Sequence, residues 1–133
     1  MAHFARITFS DGPEYTLVNC DYDFTQPKST EGQPTGRPVF GTIKLVLVTP
    51  DDEDLFLFEW MRDVEDHKEG EIYFEVVNEG KTATKTLKFE GARCTNISES
   101  FGFFTDTQMY TTVSFEAKKV TFGGSGGVVF EKF

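Results

Sequence analysis

The chain has 133 residues, with 22 Asp and Glu against 13 Lys and Arg, a formal net charge of −9, and 38% hydrophobic to 26% charged residues. This length suits one domain spanning residues 1–133, large enough for a real core, and the composition is that of a globular chain and not a disordered one. The acidic balance excludes the usual nucleic-acid binder, whose phosphate contacts need clustered Lys and Arg.

The first residues, Met1-Ala2-His3-Phe4, carry neither a positive n-region nor an apolar run, so no secretory signal is expected. Residues 3–9 alternate, with Phe4, Arg6 and Thr8 on one side and Ala5, Ile7 and Phe9 on the other, which predicts an amphipathic strand. Ser10-Asp11-Gly12-Pro13 turns it into a second strand over residues 15–24. There strict alternation puts Thr16, Val18, Cys20, Tyr22 and Phe24 inward and Asn19, Asp21 and Asp23 outward. The two strands are close enough in sequence to pair as a hairpin.

Residues 26–38 hold three prolines, two glycines and no large apolar side chain. A loop of this length is at the upper limit of what compact domains keep without a purpose. It reads either as a surface excursion or as a docking arm, since its prolines lower the entropy cost of ordering it on a partner. A strand follows over residues 39–48, with Ile43, Leu45 and Leu47 on one face and Val46 and Val48 on the other, which suggests burial on both faces by its end.

Thr49-Pro50-Asp51-Asp52 then opens the one predicted helix: Thr49 suits a cap, Pro50 a first helical position, and Asp51 to Asp54 supply carboxylates at the positive end of the dipole. Its body, residues 55–64, is apolar around much of its circumference through Leu57, Phe58, Trp60 and Met61, the expected structural core helix. One face can bury on the chain's own sheets, and the other asks for a loop or another subunit. The run from Leu55 to Met61 contains Glu59 and is too short to span a membrane.

Further strands are expected over residues 71–78, 84–90, 92–101 and 110–121, with turns at Glu79-Gly80-Lys81 and around Phe104-Thr105-Asp106. About seven strands and one helix suit a small barrel or a sandwich of two sheets. Residues 123–133 form a glycine-rich tail, Gly123-Gly124-Ser125-Gly126-Gly127, running into Val128-Val129-Phe130. No Lys-Ser/Thr follows the glycines, so a phosphate loop is not expected, and a strand added to its own or a neighbouring sheet is.

The residues for catalysis are not evident. The two histidines, His3 and His67, sit in no recognisable context, and no Gly-x-Ser-x-Gly occurs. Cys20 and Cys94, the only cysteines, lie in strand-like segments and read as buried thiols without further metal ligands. Asp51 to Asp54 lack the glycine and terminal glutamate of a calcium loop. Neither an enzyme nor a cofactor or metal is expected, and a monomeric small β-barrel that binds a ligand is the alternative from another class.

Three segments, taken in order, carry a more specific signal: Asn19-Cys20-Asp21-Tyr22 running into the long loop, Gly36-Arg37-Pro38 followed by Gly41-Thr42-Ile43, and Leu57-Phe58-Glu59-Trp60-Met61. Together they resemble the type VI secretion inner tube protein family (Hcp, also called TssD), related to phage tail-tube proteins. The resemblance implies a mainly β fold, a small two-sheet β-barrel with one flanking α-helix and a long extended loop. It also implies a structural subunit whose homo-hexameric rings stack into a hollow tube inside a contractile sheath, in a contractile injection system with spike and baseplate proteins, with effectors carried in the lumen of some members. Such a protein is assembled in the bacterial cytoplasm and exported to the extracellular space or a target cell without a signal peptide. On this resemblance the arm, with Gln26, Lys28, Glu31, Arg37 and Pro38, is expected to contact neighbouring protomers.

Overall fold

A computed structural model describes residues 4–25, 29–33, 39–100, 109–123 and 127–131. In chain order the elements are β1 (Phe4–Phe9), β2 (Glu14–Asp21), β3 (Phe24–Thr25), β4 (Val39–Phe40), β5 (Ile43–Val48), α1 (Phe56–Arg62), β6 (Lys68–Asn78), β7 (Lys81–Ser100), β8 (Tyr110–Glu116), β9 (Lys119–Phe122) and β10 (Val128–Glu131). The main sheet runs β10-β9-β7-β6-β1-β2-β5-β8, and β7 also pairs with β8. That second pairing closes β7, β6, β1, β2, β5 and β8 into a six-strand barrel and leaves β9 and β10 as extra strands along β7. Neighbouring strands in the barrel are antiparallel throughout.

The core is what the alternation predicts for β1 and β5: Ile7 and Phe9, and Ile43, Leu45 and Leu47, are all buried. In β2 the alternation fails at one point. Tyr15 and Leu17 are buried, Val18 is exposed, and the inward set resumes at Cys20. A bulge between Leu17 and Asn19 in the pairing with β5 inserts one residue and flips the parity. Thr16 and Val18 are therefore both corrected from inward to outward positions. Val48 is exposed too, so the end of β5 is not covered on both faces.

The continuous strand expected over residues 39–48 is interrupted by Gly41 and Thr42. The Gly41 N–H reaches the Asp23 carbonyl at 3.2 Å, and a Cβ there would lie 2.7 Å from an Asp23 carboxylate oxygen. This small cross-connection holds β3 and β4 together at the two ends of the arm, with Phe24 opposite Phe40 and Thr25 opposite Val39.

The two strands expected over residues 84–90 and 92–101 are one strand, β7, of 20 residues. Gly91, at φ 65°, lets the chain turn locally without leaving the sheet. Before it, β7 runs beside β6 and β9; after it, β7 pairs with β8. The turn between β6 and β7 is as expected. Glu79 and Gly80 both have positive φ, 53° and 77°, the backbone signature of a two-residue hairpin whose twist matches its strands. The expected turn around Phe104-Thr105-Asp106 lies outside the described residues.

Candidate functional site

The helix begins later than its sequence suggests. Thr49 does not cap it: the Thr49 and Thr111 hydroxyls are 2.9 Å apart, and Thr111 gives its proton to a Glu99 carboxylate oxygen at 3.1 Å. The Thr49 hydroxyl is thus the donor to Thr111, because a hydroxyl has one proton to give. The Asp51 carboxylate instead accepts from the Glu53 N–H at 3.0 Å, and its carbonyl accepts from the Asp54 N–H at 3.1 Å. This separate turn uses up the residues that looked like a first helical turn.

Asp54 does the positioning. Its carboxylate accepts the Phe56 N–H at 3.2 Å and the Tyr15 hydroxyl, 2.9 and 3.0 Å from its two oxygens. Burial, followed by the hydrogen bond and charge of Asp54, raises the Tyr15 pKa above its ordinary value, so the phenol remains a donor at neutral pH. At the far end, Asp63 is extended and its carboxylate takes the Glu65 N–H at 3.0 Å. The result is a helix of 7 residues pinned at both ends.

Its inward side anchors on the barrel. The Trp60 indole N–H donates to the Ala92 carbonyl at 3.2 Å, and the ring meets Phe9 at 5.4 Å and Phe115 at 5.5 Å between centroids. Phe56 packs on Phe9 at 4.9 Å, over Gly12, where any Cβ would collide with the Phe56 ring. Lys68 is buried, with Nζ 3.2 Å from Asp66 and 3.5 Å from Asp11, and 4.5 Å from the Phe56 ring centroid. It ties the helix exit to the β1–β2 turn. A buried ammonium needs such partners to offset lost hydration.

Of the four residues expected to form the helix core, Leu57 and Trp60 are buried, whereas Phe58 and Met61 lie on the solvent side. The correction has a simple cause: a seven-residue helix on a barrel wall can bury only one stripe. The opposite side carries Phe58, 46% exposed, and Met61, 41% exposed, flanked by Leu55, 52% exposed, just before the helix and Val64, 73% exposed, in the turn after it. The surrounding segment is dense in acid: residues 51–66 contain eight of the chain's 22 Asp and Glu and one arginine, Arg62.

A second region gathers at the base of the arm. Phe24 meets Phe130 at 4.5 Å, Phe122 at 5.4 Å and Phe40 at 5.9 Å between centroids, with Tyr22 5.7 Å from Phe122. The tail supplies Phe130 because β10 pairs with β9 in the chain's own sheet, one of the two options its sequence left open. Among the expected arm residues, Glu31 is exposed in a short turn closed by Ser29, whose N–H donates to the Gln33 carbonyl at 2.8 Å. Gln26, Lys28, Arg37 and Pro38 lie outside the described residues.

Sequence reasoning missed the Tyr15–Asp54 bond, the buried Lys68 and the docking of Phe130 on Phe24. Tyr15 was hidden inside an alternating strand, its partner Asp54 39 residues away, and Lys68 inside a charge run, where its pairing with Asp66 and with the distant Asp11 leaves no local signal of burial. Cys20 and Cys94 are each half-buried and free. His67 Nε2 accepts from Arg93 Nε at 2.7 Å. Among the described residues no cluster of three His, Cys, Asp or Glu side chains could hold a metal ion, and no helix is long and apolar enough to cross a membrane.

Comparison with known proteins fits this architecture. No curated protein matches the chain. Hcp1 from Flavobacterium johnsoniae is similar, with a TM-score of 0.76 and 27% identity over 97% of this chain and 99% of that one. Hcp1 from Salmonella typhimurium shares the fold at a TM-score of 0.69 and 10% identity, covering 97% of this chain and 93% of that one. A chain of the anti-feeding prophage baseplate also shares it, more loosely, at a TM-score of 0.53 and 12% identity over 93% of each chain. The family model of the hemolysin coregulated protein Hcp (TssD) matches residues 1–132. With the closed barrel, the flanking helix and that match over nearly the whole sequence, the chain belongs to the Hcp (TssD) family.

Proposed function

We propose that this protein is a structural subunit of a type VI secretion inner tube. Its residues 1–133 act as one barrel domain, six copies close into a ring, and rings stack into a hollow tube that a contractile sheath drives out of the cell. The subunit is assembled in the bacterial cytoplasm and exported to the extracellular space or a target cell. Spike and baseplate proteins are its further partners, and effectors travel in the lumen. The role is one of building and not of catalysis.

The observation that carries this reading is the family match over residues 1–132. The fold supports it in kind: the exposed stripe Leu55, Phe58, Met61 and Val64 is what a subunit keeps for contact, since monomers seldom leave contiguous apolar surface in water. The arm, through Gln26, Lys28, Glu31, Arg37 and Pro38, supplies contacts to adjacent protomers in this proposal. Arg37 is the residue to test, because a guanidinium forks onto carboxylates, which this chain has in excess.

The test is multi-angle light scattering with electron microscopy of the purified protein. A species near six times the 15.0 kDa chain mass, showing annular end-on views, is expected. Ring interfaces should bury at least ~1,000 Å² in total per neighbour. Only monomer across a wide concentration range would discard the tube reading in favour of a small ligand-binding barrel. Arg37→Glu should leave thermal unfolding of the monomer nearly unchanged and weaken ring or tube formation when sedimented beside wild type at matched salt. Identical assembly, with secretion intact, would remove the arm's charge from the account.

A further inference from the structure

The arm, residues 26–38, leaves the barrel after Thr25 and comes back at Val39. Its two ends are joined by β3 and β4, strands of 2 residues each in a small sheet of their own. A two-stranded ladder that short is marginal in water, and closing a loop of this length costs chain entropy. The bond from the Gly41 N–H to the Asp23 carbonyl adds one link, at 3.2 Å. Side-chain packing has to hold the rest of the arm's root.

That packing converges on Phe24. Phe40 lies 5.9 Å from it, Phe122 5.4 Å and Phe130 4.5 Å between centroids, so the shortest of these contacts comes from the tail. Phe130 also meets Phe122 at 6.3 Å, and β10 lies against β4 as well. The tail thus touches both ends of the arm.

β10 does little else for the fold. It stands outside the six-strand barrel, and none of its 4 residues belongs to the buried core. Val128, Val129 and Glu131 are exposed, and Phe130 alone is partly shielded. What the strand gains by burial therefore passes through one ring onto the root of the arm. Two features bring that ring into place. The Gly123 N–H donates to the Thr86 carbonyl at 3.3 Å and holds the start of the tail on β7. At Gly127 any Cβ would collide with the Phe122 carbonyl, so β10 reaches β9 only because this residue is glycine.

We propose that the C-terminal strand anchors the arm: Phe130 clamps Phe24 and so fixes the direction in which residues 26–38 leave the barrel. The clamp is a property of the single chain, and its value for assembly rests on the tube-subunit reading. An arm with a fixed root loses less freedom when it docks on a neighbour. Loosening the root should then weaken assembly with every docking residue still present.

Two variants undo the clamp by different routes: Phe130→Ala removes the ring, and Gly127→Ala pushes β10 away from β9. Phe130→Leu keeps most of the apolar volume, and Val129→Ala, on an exposed side chain of the same strand, is the control. Hydrogen–deuterium exchange is read by mass spectrometry at concentrations below assembly. In Phe130→Ala and Gly127→Ala the amides of residues 39–41 should exchange at least about tenfold faster, while those of Leu45 to Leu47 in the barrel keep the wild-type rate. Phe130→Leu and Val129→Ala should exchange as wild type does. In sedimentation velocity the two disruptive variants should raise the concentration for half-assembly at least about tenfold, with Phe130→Leu close to wild type.

Unchanged exchange at residues 39–41 in both disruptive variants overturns the clamp. So does exchange that rises equally at Leu45 to Leu47, because Phe130 would then be ordinary support for the barrel. Faster exchange at the root with assembly untouched overturns the anchoring role while the tube reading stands. A wild type that never assembles overturns that reading, and the exchange rates still decide the clamp.

Discussion

Replacing Trp60 with Phe isolates what anchors the helix. The indole donates to the Ala92 carbonyl at 3.2 Å and packs between Phe9 and Phe115 at centroid distances of 5.4 and 5.5 Å. Phenylalanine keeps an aromatic ring in the slot but offers no donor. Loss of the hydrogen bond, with a buried carbonyl left short of a partner, costs about 1–2 kcal/mol. The smaller ring leaves a void of roughly 40 Å³, which at about 24 cal/mol per Å³ adds ~1 kcal/mol. The expected total is about 2–3 kcal/mol, or roughly 6–15 °C in Tm for a domain of this size. Trp60 is the only tryptophan, so fluorescence is lost with the substitution and far-UV circular dichroism is the readout. The melts should be run at a low, matched concentration, since assembly adds apparent stability. A Tm within about 3 °C of wild type would refute the argument, because the hydrogen bond and the packing would then both be dispensable.

Tyr15→Phe removes the donor to Asp54, 2.9 and 3.0 Å away, and should cost about 1 kcal/mol in urea unfolding; an unchanged midpoint would mean that Asp54 holds the helix start alone. Gly70→Ala puts a Cβ against the Thr8 carbonyl, a backbone atom with nowhere to go, and against the Phe89 ring, so a loss of about 1–3 kcal/mol by thermal melting is expected. The thiols make stability depend on alkaline pH. Burial, aided by the charge of Asp21, pushes Cys20 from 9.0 up to about 12, and burial pushes Cys94 up to about 11. Unfolded thiols therefore lose their protons at lower pH than folded ones, and stability should fall as pH rises above 9, with no contribution from these groups at neutral pH. Urea midpoints that stay level from pH 8 to 10.5, or thiols that react with a disulfide reagent at the same rate folded and unfolded, would contradict this.

What the sequence made legible was set by local chemistry. Alternation in β1 and β5 located the core face correctly, and Glu79-Gly80 announced a hairpin because few residues tolerate positive φ. The misreadings share a cause, which is that tertiary partners overrule local signals. Thr49-Pro50-Asp51 has the pattern of a helix start, but Thr111 takes the Thr49 hydroxyl and Asp51 closes its own turn. Val18 looked inward because a bulge is invisible without its partner strand. Gly91 looked like a strand break because a positive φ inside a continuous strand depends on β8 and β9 to hold both halves. At the candidate site, the over-apolar helix pointed to a second uncovered face, and the structure supplies it in Leu55, Phe58, Met61 and Val64. Which residues take which side was beyond a helix whose start was misplaced.

The double membership of β7 bears on how this molecule comes apart. Its first half lies between β6 and β9, its second half closes on β8, and Gly91 joins them within one strand. Peeling away either wall of the barrel by itself leaves β7 still hydrogen-bonded to the other. Partial opening thus gains little chain freedom for the bonds it breaks, and the amides around Leu87 to Cys94 have no cheap local route to solvent. They should exchange with deuterium only as fast as the whole barrel opens. Tension applied at one end of such a strand would be shared by two sets of bonds at once, so the barrel should resist distortion until it yields as a unit.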